Sequence, residues 1–417
     1  MTCDACDRTV TIALAGIGGY GAFYAQELLD QAARKHVRFT AAVDPFPERA
    51  PLRSAIEAAG IPLYRNLDEL YAHQVPDLLV LSTPIPLHAP QACLALAKGS
   101  NVLCEKPIAA TVQEALAMRE AEQKSGGRFL AIGFQWSFTE AVQALKADIR
   151  SGALGTPLRM KTRVQWPRNS AYYARNRWAG RIQDDSGAWV YDSPVSNATA
   201  HYLHNMLYLL GSESHLSARP QTIEAELYRA NPIENFDTAA LRIVTDSGVE
   251  LLFLTTHASP ISVGPVSVFE FSNAVVTYAR GADGTFQAQF ADGRIQNYGN
   301  PDVQQLRKLW CCVDAIREGV AIPCGVTAAL PHLICVNAMQ AAPNAIVDVP
   351  ASLIRQRADG DTETLRWIDG IDDIYARCFE RHALPSELGD VPWTRKMHCN
   401  PDTTRAGHAL VVGHQVA

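Results

Sequence analysis

Gly16-Ile17-Gly18-Gly19-Tyr20-Gly21 stands between an apolar run, Val10–Ala15, and a helical pattern that begins at Ala22. That is G-x-G-x-x-G in the strand-to-helix context the motif requires. The first glycine permits a tight turn, the second lets the backbone approach a pyrophosphate, and the third lets helix and strand pack closely. The helix N-terminus offers N–H groups and the positive end of its dipole to phosphates. A second apolar strand, Phe39–Val43, ends in Asp44, about 20 residues past the loop, where a carboxylate meets the ribose hydroxyls of a dinucleotide. Gly16, Gly18, Gly19, Tyr20, Gly21 and Asp44 are therefore candidate cofactor contacts. The Asp44 carboxylate favours NAD by repelling a 2′-phosphate, while Arg49, close in sequence, leaves NADP open.

Two further groups carry proton or charge chemistry. Glu105-Lys106-Pro107 closes the apolar segment Asn101–Cys104, and Pro107 turns Lys106 away from the helical region. A lysine at the carboxyl end of such a strand projects into the crevice where ligands bind. There it holds a substrate oxygen and favours its deprotonated form. Asp192-Ser193-Pro194 reads as the cap and first turn of a helix that runs to Gly211. On that helix Asn197 and His201 are four apart and share a face, with His204 and Tyr208 continuing the stripe. His201 is a candidate general base because its ordinary pKa is near neutral, with Asn197 to orient its ring. A buried structural histidine is the alternative reading.

Ser82-Thr83-Pro84, with His88 beyond it, flanks the same crevice. Gln135, Trp136 and the stretch from Trp166 to Trp178 are candidates for a polar-aromatic sugar pocket, although aromatics more often build core. No carboxylate or cysteine is spaced to complete a metal site with His201 and His204, so no metal is expected. Cys3-x-x-Cys6 has metal or redox spacing, but a frayed terminus is the better reading.

The elements that must position these residues fall into two textures. In the first third, strands at Val10–Ala15, Arg38–Val43, Asp77–Ser82, Asn101–Cys104 and Arg128–Gly133 alternate with helical patterns. That is the rhythm of a doubly wound parallel sheet. From Pro157 come longer, alternating strands with turn signals at Asp246-Ser247-Gly248, Ala282-Asp283-Gly284 and Ala291-Asp292-Gly293. They predict an α/β domain with a large, mainly antiparallel open sheet. Helices return at Val303–Glu318 and Val326–Ala341. The expected partition is a dinucleotide domain over 1–135, a substrate and oligomerisation domain over 136–350, and an extension over 351–417 with no assignable role.

The chain has 417 residues and a net charge of −6, mild enough to argue against nucleic acid or an anionic membrane as partner. No apolar run approaches the ~18 residues of a membrane span, and the N-terminus lacks a signal-peptide core. The expected location is the cytoplasm, with the cysteines as thiols.

Taken together, the glycine loop, Asp44, Thr83-Pro84 with His88, Glu105-Lys106-Pro107 and the His201 helix resemble the Gfo/Idh/MocA family. This is the group of glucose-fructose oxidoreductase and inositol dehydrogenase. The resemblance runs from about Val10 to Ala341, and Glu-Lys-Pro is its most specific element. It implies an α/β protein with a nicotinamide-binding Rossmann domain, then a domain whose open sheet supports a homodimer or homotetramer. Thr83, Pro84, His88, Glu105 and Lys106 would join the glycine loop and Asp44 around NAD. Lys106, His201 and Asn197 would be catalytic. Lys106, Gln135, Trp136, Asn197, His201 and His204 would meet a polyol or sugar.

The family pattern on the helix is Asp, Gly, His, Asp; here Asn197, Thr199, His201 and His204 hold those places. Asparagine cannot stabilise an imidazolium as a carboxylate does. The expected activity is NAD(H)-dependent hydride transfer at a secondary hydroxyl or ketone of a sugar, cyclitol or sugar derivative. Two alternatives stay open. One is a glycosidase that retains NAD and uses transient oxidation. The other is a catalytically weak nucleotide-binding sensor or scaffold.

Overall fold

The computed structural model describes residues 8–280 and 284–404; Cys3, Cys6 and the Ala282-Asp283 part of one expected turn lie outside them. The chain divides into two compact units. One takes in the chain up to Ala109, Glu114–Thr139 and Gln304–Leu330; the other holds Ala110–Gln113, Glu140–Val303 and the chain from Pro331.

In the first unit the short apolar runs pair side by side. Val10–Ala15 (β1), Val37–Val43 (β2), Leu63–Tyr64 (β3), Leu78–Leu81 (β4), Asn101–Cys104 (β5) and Leu130–Ile132 (β6) form one sheet in the order β3-β2-β1-β4-β5-β6. Every pairing is parallel. All residues of β4 and β5 are buried, as expected of strands covered on both faces. The strand order turns back between β1 and β4, which is the point where open α/β sheets bind ligands.

The helix Arg307–Glu318 falls in this unit. Its stripe of Lys308, Leu309, Cys312, Val313 and Ala315 is buried. Trp310 Nε1 donates to Glu27 Oε1 at 2.7 Å, and Arg317 reaches the carbonyls of Lys35 and His36 at 2.8 and 2.7 Å. An amphipathic stripe read along the sequence does not say which sheet it will cover.

The second unit is built on a ten-stranded sheet. Its strands are Pro157–Gln165 (β7), Pro220–Arg229 (β8), Thr238–Thr245 (β9), Glu250–Thr256 (β10), Val263–Phe271 (β11), Ala274–Ala279 (β12), Phe286–Phe290 (β13), Ile295–Gly299 (β14) and Ile346–Asp348 (β15), with Met397–Cys399 added at β8. The order is β14-β13-β12-β11-β7-β10-β9-β8-β15. Only β7 with β10 and β8 with β15 pair in parallel. In β12 and β13 buried and exposed residues alternate strictly, the period-2 pattern of a half-buried antiparallel strand.

Residues 351–404 fall in this unit. They form a hairpin, Ile354–Ala358 with Thr364–Ile368, and a helix, Ile371–Arg381. Ile371, Ile374, Tyr375 and Cys378, at helical spacing, pack in one cluster with Tyr228, Ala240, Leu252 and Leu254 of β8, β9 and β10. Tyr375 Oη donates to the Ala239 carbonyl at 2.9 Å. The chain's own C-terminal helix therefore covers the β8–β10 part of the sheet. Thr277, Gln287 and Gln289 remain exposed on β12 and β13. Among the described residues no helix is long and apolar enough to cross a membrane, and no group of His, Cys, Asp or Glu is arranged to hold a metal.

Candidate functional site

The glycine loop sits at the carboxyl end of β1. A Cβ on Gly16 (φ +80°) would lie 2.4 Å from the Ser82 carbonyl oxygen, and one on Gly21 would lie 1.9 Å from the Gly16 carbonyl oxygen. Close packing therefore fixes both as glycine. Gly18 and Gly19 differ: among the described residues no atom comes within 4 Å of a Cβ there. Their open side is where a pyrophosphate approaches the backbone. Among the described residues no side chain caps the helix Gly21–Gln31, and its first turn holds no acid, so the positive dipole end stays available.

Asp44 is drawn to the same loop. Its Oδ2 accepts from the Ile17 N–H at 3.1 Å and its Oδ1 from the Phe46 N–H at 2.9 Å. Arg49 is exposed, with its guanidinium 4.7 Å from the Phe46 ring centroid. An open glycine pair, an uncapped helix end and a carboxylate at the end of β2 fit a dinucleotide.

Thr83 and Pro84 lead into the helix Ile85–Ala97, and Thr83 Oγ1 donates to Gln91 Oε1 at 2.7 Å. His88 is buried, with Nδ1 2.8 Å from the Pro107 carbonyl oxygen and Nε2 2.8 Å from that of Thr83. The ring braces the Thr83 turn against the turn after Lys106. Burial pushes its pKa down while the carbonyls oppose.

Glu105 also turns inward. Its Oε1 accepts from Tyr24 Oη at 2.7 Å and pairs with the Lys308 ammonium, and its Oε2 accepts from the Lys106 N–H at 3.2 Å. Lys308 is fully buried, 4.7 Å from the Tyr20 ring centroid and 5.2 Å from that of Tyr24. Burial lowers its pKa and Glu105 opposes. Tyr20 Oη donates to Gln135 Oε1 at 3.3 Å, and burial, then Glu105, raises the Tyr20 pKa.

Tyr20, Glu105 and Gln135, expected as separate ligand contacts, are thus linked in one internal network behind Lys106. Trp136 is buried at 3% exposure, which makes it core rather than an open pocket wall. Lys106 is half-buried at the carboxyl end of β5, and its bond to Pro107 is cis. Lys308 went unnoticed in the sequence. Its signal was a lysine on the same helical stripe as Cys312 and Ala315.

In the second unit the expected continuous helix is broken in two. Ser193 caps a wide turn, Pro194–Ala198, in which the Thr199 N–H reaches back to the Pro194 carbonyl at 2.9 Å. A regular helix, Ala200–Leu209, follows. Asn197 lies on the wide turn and His201 in the first turn of the helix, so their spacing of four is not that of one helix face. Both are half-buried.

Asn197 Nδ2 donates to Asp192 Oδ1 at 2.8 Å; Asp192 Oδ2 accepts from the Gly180 N–H at 2.7 Å and lies 3.8 Å from Arg175. The carboxylate missing at position 197 is therefore present one hydrogen bond away. His204 follows His201 by three residues in the same helix. It is buried, stacked on Tyr208 at 5.7 Å and edge-on to His332 at 6.5 Å. Burial first, then His332 and Lys146, pushes its pKa well down.

Residues 10–134 match the family described as "Oxidoreductase family, NAD-binding Rossmann fold" (GFO_IDH_MocA). The inositol 2-dehydrogenase of Acidothermus cellulolyticus is 31% identical over 202 residues, 47% of this chain and 58% of that protein. The inositol 2-dehydrogenase of Burkholderia ambifaria is 28% identical over 247 residues, 58% of this chain and 66% of that protein. The chain thus spans between half and two thirds of the length of these curated relatives. The crystal structure of the WlbA dehydrogenase from Bordetella pertussis, in complex with NADH and UDP-GlcNAcA, superposes with a TM-score of 0.64 at 21% identity, covering 79% of this chain and 95% of that one. That likeness extends the shared fold beyond the first unit. Residues 10–134 are thus similar to the NAD-binding Rossmann fold of the Gfo/Idh/MocA oxidoreductase family.

Proposed function

We propose that the protein is an NAD(H)-dependent oxidoreductase acting on a secondary hydroxyl or ketone of a sugar, cyclitol or sugar derivative. The observation that carries this reading is the convergence at the sheet's switch point. Open glycines, Asp44 and Lys106 stand at the carboxyl ends of β1, β2 and β5 of one parallel sheet, and a buried Glu105–Lys308 pair lies in the same unit. Asp44 would hold the ribose hydroxyls, and the backbone at Gly18 and Gly19 would take the pyrophosphate. NAD, when bound, supplies the hydride acceptor.

Lys106 places its positive charge for the oxygen whose bond to carbon changes order, and Glu105 fixes the Lys106 backbone from behind. His201 is the candidate proton acceptor of the second unit, with Asp192 acting on that turn through Asn197. Names of relatives support polyols and sugars as the substrate class. A cytoplasmic location and a homodimer or homotetramer, formed through the part of the sheet that the C-terminal helix leaves uncovered, complete the proposal. Incubating the protein with NAD and a panel of sugars, cyclitols and sugar acids tests it. NADH should accumulate at 340 nm with at least one of them. Tight NADH binding with no turnover across the panel favours the sensor reading instead.

A further inference from the structure

In the second unit the chain leaving β7 is fixed by its neighbour. The Trp166 N–H donates to the Thr256 carbonyl at 2.9 Å and the Arg168 N–H to the His257 carbonyl at 3.1 Å. The indole is pinned by Trp166 Nε1 donating to the Gly264 carbonyl at 3.2 Å. An open cleft of about 450 Å³ lies here, lined by Trp166, Pro167, Arg168, Ser262 and Arg280. Among the described residues its charged walls are the two arginines. Their guanidinium carbons stand 5.9 and 5.5 Å from the centroid of the same indole.

Neither arginine is well neutralised. Among the described residues Arg168 has no carboxylate partner; it lies 4.6 Å from the Tyr172 ring centroid, and its buried Nε makes no hydrogen bond. The carboxylate beside Arg280 is Asp302 at 3.7 Å, and the Tyr278 hydroxyl donates to that same oxygen at 3.1 Å. Asp192 is engaged by Arg175, Asn197 and the Gly180 N–H. Two guanidinium groups facing one cleft repel each other, and a half-buried one held only by aromatic rings lacks a counter-ion to offset its lost hydration. A neutral sugar stacking on Trp166 would not relieve either cost. An anion would, and the planar guanidinium fork matches carboxylate and phosphate oxygens. Tyr202, which follows His201, packs edge-on against Trp166 at 5.7 Å, so the cleft lies beside the helix that carries the candidate base.

We propose that the substrate is a polyhydroxylated molecule bearing an anionic group, a carboxylate or a phosphate, which Arg168 and Arg280 bind beside the Trp166 ring. This rests on the oxidoreductase reading above and narrows its substrate class. Calorimetric titration of the full chain, with and without saturating NADH, tests it with D-glucose, D-glucuronate and D-glucose 6-phosphate. At least one anionic sugar should bind tenfold or more tightly than glucose, and the comparison between the two tells carboxylate from phosphate. Arg168→Gln and Arg280→Gln should each weaken the anionic ligand about 10- to 100-fold, leaving glucose and NADH affinity unchanged. Equal binding of neutral and anionic sugars, binding of none of them, or a preference that survives both substitutions overturns the proposal. Failure of the protein to bind NADH would overturn the oxidoreductase reading instead, and the titration without NADH would still decide this one.

Discussion

Replacing Lys308 by methionine should strongly destabilise the first unit. The ammonium is fully buried, pairs with Glu105 and lies against the Tyr20 and Tyr24 rings. Methionine fills most of the volume, so packing loss is small and the cost is electrostatic. Removing one partner of a buried ion pair leaves the other charge desolvated and costs about 3–5 kcal/mol. For a unit of this size that corresponds to a fall in melting temperature of roughly 6–20 °C. Differential scanning calorimetry of parent and variant measures it. The double variant Glu105→Gln/Lys308→Met leaves no buried charge and should recover a good part of the loss, because the two sites are coupled. The Lys106 N–H donates to Glu105, so the single variant should also weaken NADH binding. A Lys308→Met variant that melts within a degree or two of the parent would refute the reasoning.

Three further outcomes are expected. NADH should bind more tightly than NADPH, and Asp44→Ala should shrink the difference, read by fluorescence titration of both cofactors; tighter NADPH binding in the parent would overturn the role given to Asp44. Lys106→Ala and His201→Ala should each lower turnover on the order of 10²–10⁴-fold with little change in NADH affinity, and near-normal kcat in the His201 variant would move the base elsewhere. Burial first, then Arg168, holds the His257 pKa down to about 3. The unfolded chain therefore takes up a proton between about pH 6.5 and 3 that the folded state refuses. Its stabilising share is complete above about pH 6.5 and is lost on acidification by at most about 1.4 kcal/mol per pH unit. Urea midpoints between pH 7 and pH 4 should show this slope, and His257→Asn should flatten it; an unchanged slope in the variant would remove His257 as the cause.

The glycine loop, Asp44 and the strand ends of the first unit were legible because each depends on local chemistry: a tight turn, a strand terminus, a helix start. The antiparallel strands were legible through their period of two and their Asp-Gly and Ser-Gly turns. What escaped was decided by distant partners. The Lys308 stripe looked like any amphipathic helix, and only its contact with Glu105 gives the lysine meaning. The helix Ile371–Arg381 shows the same apolar spacing, but nothing local says that it covers β8–β10. The wide turn at Pro194–Ala198 broke the expected helix because Ser193, Ser196 and Thr199 satisfy its backbone in a way helical periodicity does not register. That turn moved Asn197 off the His201 face and gave it Asp192. The internal hydrogen bonds of His88 and Glu105 were likewise set by partners distant in sequence.

Hydride transfer itself is the most direct test. The protein is incubated with NAD and the substrate identified in the 340 nm screen, carrying deuterium on the carbon of its reacting secondary hydroxyl. The reduced cofactor is then analysed by mass spectrometry. The account predicts deuterium at C4 of the nicotinamide ring, in stoichiometric amount with the ketone product, and its disappearance in Lys106→Ala. Unlabelled NADH, or product formed with no net NADH, would contradict it.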